Sequence, residues 1–208
     1  MSEQPIADID LTALISSRIC HDVISPVGAI ANGLEVLSDE TDPEMREHAM
    51  ELITKSAATA SAKLQFARIA FGAAGSAGAE IDLRDAEKVS RDFVQGKHEL
   101  TWTGPLATLA KNKVKLLLNL VSLGVVALPR GGTLDVHIDD QATRFEIRGQ
   151  GKAAGLKDEM KALLAPDGPT EGLDAHSILP YFARRLADSI GMTISVDNRP
   201  DEVLITAS

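Results

Sequence analysis

The feature that most constrains this chain is an apolar stripe at helical spacing near its start. Ile15, Ile19, Val23, Val27, Ile30, Leu34 and Leu37 recur so that all lie on one side of a single helix over residues 9–37. The segment 38–44 interrupts it. There Asp42 suits an N-cap and Pro43 the first helical turn, so a second helix begins, while Thr41 and Glu44 resemble a capping box one residue out of step. That helix runs to about Phe71 through Met45, Leu52, Ile53, Ala57, Ala60, Leu64 and Ala67. A hairpin of two helices cannot cover both apolar stripes by itself. A second copy completing a four-helix bundle is the natural solution, so a homodimer is expected.

The run from Gly72 to Ala79 is small, uncharged and rich in glycine, as a flexible connector is. The expected boundary falls inside it, dividing a helical hairpin at 1–75 from a second domain at 76–208. Beyond it, short β-type runs at 81–83, 99–102, 133–138, 144–148, 192–196 and 202–206 alternate with helical stretches near 84–94, 106–128, 155–164 and 177–190. This alternation predicts a mixed α/β layer domain.

Charge and composition remove several functions. The chain of 208 residues carries 30 Asp and Glu against 21 Lys and Arg, a formal charge of −9, and its basic residues do not cluster, so direct nucleic-acid binding is not expected. Only 3% of residues are aromatic, too few for a stacking platform. The single cysteine, Cys20, rules out an internal disulfide and fits a reducing cytoplasm. The longest apolar run, 116–128, is broken by Asn119 and Ser122 and falls short of the roughly 18 to 20 residues of a membrane span. Residues 1–10 are acidic and do not read as a signal peptide. A cytoplasmic protein without membrane contacts is the expectation.

On the first helix, His21 lies opposite the apolar stripe and therefore faces solvent. Ser17, Ser25 and Gly28 share its face one or two turns away, all small enough to let another protein approach the imidazole. Arg18 and Asp22 flank it. Neutral imidazole is a nucleophile near pH 7, and a neighbouring carboxylate orients the ring or accepts its proton, so the site suits a phosphoryl group carried on a ring nitrogen. An ordinary surface histidine is the competing reading. Pro26 removes a backbone donor and crowds the carbonyl of Asp22, so a kink just after His21 is expected. Cys20 reads as a small packing residue at the stripe's edge. His48, His98, His137 and His176 show no ligand-type spacing and read as structural or exposed.

The segment His21-Asp22-Val23-Ile24-Ser25-Pro26-Val27-Gly28-Ala29-Ile30 resembles the H-box of sensor histidine kinases: a histidine, an acid, three residues, a proline, then an apolar continuation. Its place on a dimerisation hairpin followed by an α/β domain matches the architecture of those kinases, so the resemblance covers nearly the whole chain. It implies a dimeric four-helix bundle joined to a histidine-kinase ATPase-like α/β sandwich. The ATP motifs, however, are degraded. Leu123 stands where the kinases place a magnesium-binding asparagine, and an alkyl group cannot ligate a hard cation. Gly149 stands where an aspartate contacts adenine. The segment Gly172-Leu173-Asp174-Ala175-His176-Ser177 puts an acid where a glycine-rich loop cradles phosphates.

This combination is similar to the ChpT-type histidine phosphotransferases. The resemblance implies that His21 passes a phosphoryl group between aspartates of receiver domains, those of a hybrid histidine kinase and of response regulators. It implies Asp22 as the orienting or proton-accepting group, and Ser17, Arg18, Ser25 and Gly28 as the docking face. No cofactor is expected on this chain, the Mg²⁺ being supplied by the partner receiver. An ATP-dependent histidine kinase and a non-enzymatic receiver-binding adaptor are the alternatives.

Overall fold

A computed structural model describes residues 6–72 and 79–208. Helices α1 (Asp8–Asp39) and α2 (Pro43–Ala70) form the hairpin. Asp42 caps α2, its side chain accepting from the Glu44 amide at 3.3 Å, and Pro43 occupies the first turn where no amide partner is needed. Glu40 rather than Thr41 completes the corner. Its carboxylate accepts from the amides of Asp42 and Thr41 at 2.9 and 2.8 Å, which lowers its pKa.

Helix α1 continues through Pro26. The proline leaves the carbonyl of Asp22 without its helical donor, and Lys63 of α2 supplies one, its Nζ donating to that oxygen at 2.8 Å. Gly33 fixes how closely the helices cross. A Cβ there would stand 2.6 Å from Ile53 Cγ1, so only glycine fits this approach without a shift.

The remaining elements are β1 (Glu80–Asp82), α3 (Leu83–Phe93), β2 (His98–Thr103), β3 (Thr108–Ala110), α4 (Lys111–Val126), β4 (Gly132–Ile138), β5 (Phe145–Gln150), α5 (Asp158–Leu164), α6 (Ile178–Ser189), β6 (Ile194–Arg199) and β7 (Glu202–Ala207). The main sheet runs β2-β4-β5-β7-β6, parallel only between β2 and β4, and β1 pairs antiparallel with β3 in a separate ribbon. Inward and outward residues alternate along β4 and β5, as a sheet with one packed face requires. That face meets α4, whose Leu116, Leu117, Leu118, Leu120, Val121 and Leu123 have no exposed surface. The result is the expected α/β sandwich beside a helical hairpin.

The same core extends into the hairpin. Phe66, Ile69 and Ala70 of α2 belong to it, and Phe66 stacks on Phe93 of α3 with centroids 4.0 Å apart and planes 15° from parallel. Asn119, buried on α4, donates to the carbonyls of Ala70 and Lys115 at 3.1 and 2.8 Å. The expected boundary between 75 and 76 lies outside the described residues, as does most of the glycine-rich run that carries it.

Two sequence expectations need correction. The stretch 106–128 is not one helix, because Thr108–Ala110 is drawn into pairing with β1 and α4 starts at Lys111. Cys20 is exposed rather than packed. Of the apolar positions assigned to α2, Ala60 and Ala67 are buried, and Met45, Leu52 and Leu64 are exposed on this single chain, as expected of a hairpin that does not cover its own stripes. Among the described residues no helix is long and apolar enough to cross a membrane.

Candidate functional site

His21 lies midway along α1, and its side chain is 57% exposed. Its neighbour Asp22 divides its two oxygens. Oδ2 accepts from Arg18 Nε at 2.9 Å, and Oδ1 lies 3.7 Å from His21 Nδ1. The carboxylate therefore favours a proton on Nδ1 and leaves the lone pair on Nε2, the nitrogen with no acid beside it. Arg18, with only 15% of its side chain exposed, is committed to Asp22 rather than presented to a visitor. Lys63 reaches the Asp22 carbonyl from the other side, so backbone and side chain of this residue are both held. Ser17, Ser25 and Gly28 are exposed, and nothing lies within 4 Å of a Cβ placed on Gly28. The hairpin's own packing does not require a glycine there.

The structure adds a residue that sequence spacing did not assign to this site. His176, just before α6, sets its ring edge-to-face against His21, with centroids 4.8 Å apart and an interplanar angle of 78°. The two share a cleft of about 660 Å³ with Arg18, Asp22, Leu156 and Asp174. Asp174 organises the segment that brings His176 there: its carboxylate accepts from the amides of Ser177 and His176 at 2.7 and 2.9 Å and from the Ser177 hydroxyl at 2.8 Å. These donors, the Ser177 amide first, hold the Asp174 carboxyl below the ordinary carboxylate range. Helix α6 then anchors the segment through buried Ile178, Leu179 and Tyr181, and the Tyr181 hydroxyl accepts from the Ile6 amide at 3.2 Å.

At the positions where the resemblance places nucleotide contacts, the side chains face the core or one another. Leu123 is fully buried, facing apolar neighbours rather than a cleft. At Gly149 a Cβ would stand 2.9 Å from Val203 Cγ1 and 3.3 Å from Leu128 Cδ2, so the place of an adenine-reading aspartate is filled by the core. Asp174 itself takes the amides at 176 and 177 that an anion would otherwise use. Among the described residues, no group of three His, Cys, Asp or Glu side chains is placed to hold a metal.

The family model for the histidine phosphotransferase C-terminal domain matches residues 83–202. Protein phosphotransferase ChpT of Brucella abortus (strain 2308) is 47% identical over 205 residues, covering 97% of this chain and 97% of that protein. A 1.7 Å structure of a bacterial phosphotransferase has a TM-score of 0.90 at 44% identity, covering 100% of both chains. The histidine kinase domain of the Erythrobacter litoralis EL346 blue-light activated kinase has a TM-score of 0.46 at 14% identity, over 87% of this chain and 94% of that one. A family model matching more than half of the residues and a whole-length relative at this identity place the chain in one group: it belongs to the histidine phosphotransferases and is a protein phosphotransferase of the phosphorelay type.

Proposed function

We propose that His21 is the phosphoryl carrier, moving the group between aspartates of receiver domains on a hybrid histidine kinase and on response regulators. The observation that carries this reading is an exposed imidazole whose Nδ1 faces a held carboxylate, leaving Nε2 as the nucleophile. In the forward step the Nε2 lone pair attacks the phosphorus of an aspartyl phosphate. The N–P bond forms, the acyl P–O bond breaks, and the receiver carboxylate leaves with its electron pair. Nδ1 keeps its proton throughout, and Asp22 faces the positive charge that develops on the ring. The reverse step, toward a second receiver, restores neutral His21.

The receiver brings the Mg²⁺ that neutralises the transferring group, so this chain supplies a nucleophile, an acid beside Nδ1 and a docking face at Ser17, Ser25 and Gly28. Positioning and charge neutralisation account for most of the catalysis in such a transfer. Arg18 supports this through Asp22. The working form is a cytoplasmic homodimer. Exposed Ile24, Val27, Leu34, Met45, Met50, Leu52 and Leu64 all lie on the hairpin, an apolar display that a second hairpin covers in a four-helix bundle.

Incubation with a phosphorylated receiver tests this. The chain takes up an acid-labile, alkali-stable label, and His21→Ala takes up none while remaining folded and dimeric. Label retained by that variant moves the carrier elsewhere. Label acquired from Mg-ATP alone reinstates a kinase, and no label from any receiver leaves only an adaptor.

A further inference from the structure

We propose that His176 is a positioning residue for phosphoryl transfer, a role that rests on His21 being the carrier. An imidazole on an exposed helical face has several rotamers open to it, yet in-line attack on phosphorus needs Nε2 aimed in one direction. Asp22 does not provide that aim. At 3.7 Å its Oδ1 is beyond hydrogen-bond length from Nδ1, near enough to bias the proton's position but not to clamp the ring. The aromatic contact with His176 is the restraint that remains. Edge-to-face rings at 4.8 Å attract through their quadrupoles; rotation of His21 about Cα–Cβ breaks that contact, and a half-turn about Cβ–Cγ, which would restore it, takes Nδ1 away from Asp22.

A restraint works only if it is itself held, and the backbone that carries the exposed His176 is held from both sides. Before it, Asp174 gathers the amides of His176 and Ser177 and the Ser177 hydroxyl. After it, Ile178, Leu179, Pro180 and Tyr181 are buried as α6 packs on α1 and α4. The α/β layer thus sets a ring against the nucleophile through a short hydrogen-bonded segment. His176 forms no bond to phosphorus and exchanges no proton in this role; it narrows the orientations of His21.

The test uses full-length protein with His176→Ala and His176→Phe, measuring transfer from a phosphorylated receiver over a range of receiver concentrations. His176→Ala lowers the rate at saturating receiver about tenfold with unchanged half-saturation, and His176→Phe, which keeps an aromatic edge, returns it to within about twofold of the parent. In NMR spectra the His21 ring C–H resonances shift in His176→Ala as the neighbouring ring current is lost. An unchanged maximal rate in His176→Ala, no rescue by His176→Phe, or a loss confined to half-saturation overturns the proposal. His21→Ala is run alongside. If it still accepts label, the carrier assignment is what fails; if it is dead while His176→Ala is normal, only the positioning role falls.

Discussion

The hairpin and the α/β layer solve the same problem in opposite ways. In the layer, apolar side chains find partners within the chain: six residues of α4, from Leu116 to Leu123, are fully buried against the sheet and neighbouring helices. In the hairpin, Val27 and Leu34 of α1 and Leu52 and Leu64 of α2 stay between 45% and 55% exposed. The layer is closed by its own tertiary structure, whereas the hairpin leaves apolar side chains exposed on this chain. Where the two regions meet, Phe66, Ile69 and Ala70 join the layer's core, and the α/β segment at Asp174–Ser177 reaches the face of His21.

The largest effect that separates the regions comes from charge. Leu52→Asp or Leu64→Asp buries an unpaired carboxylate in the dimer, a cost of several kcal/mol, and dissociates or unfolds it. Sedimentation at micromolar concentration reads this directly; a parent protein already monomeric, or a variant still dimeric, breaks the contrast. Next is Leu117→Ala, which costs about 2–5 kcal/mol through lost burial and a cavity. Its denaturant midpoint shifts by the same amount at every protein concentration, unlike that of a dimer-face variant, whose loss deepens on dilution.

Two glycines in α1 sharpen the comparison further. Gly28→Ala gains about 0.5–1 kcal/mol of helix stability because open space surrounds its Cβ. Gly33→Ala sets the same gain against a 2.6 Å approach to Ile53 and is destabilising by about 1–3 kcal/mol. Thermal melts of the pair decide it, and equal behaviour at both positions contradicts the close crossing. Truncating Ile53 to alanine restores the Gly33→Ala gain.

The smallest effect is local and depends on pH. The folded pKa of Asp174 is lowered, so its stabilisation of the loop is present above the unfolded carboxylate value, about 3.8, and is lost as pH falls through the folded value. Acidification through the folded value therefore frees the amides of His176 and Ser177. Amide exchange at those two residues, compared with Asp174→Ala at neutral pH, measures it; full protection in that variant shows that the carboxylate is not what holds the loop.

Much of this was readable in the sequence because it is local. The stripe through Ile15, Ile19 and Val23 defines α1, Asp42 and Pro43 start α2, and the period of two at 133–138 marks β4. His21, Asp22 and the small residues beside them are neighbours on one helix, so periodicity alone groups them. Other features have no local signature. Strand β3 exists because β1 pairs with it, Arg18 turns to Asp22 rather than outward, and Lys63 caps a carbonyl that Pro26 left open in the other helix.

What the sequence alone determined, then, was the hairpin, the layer and the histidine they present, since helical and strand periods and capping residues act over a few positions. What only the tertiary structure decided was the neighbourhood of that histidine. His176 meets His21 because α6 packs against α1 while Asp174 fixes the turn before it, and contacts between residues far apart in the chain are set by how buried surfaces fit.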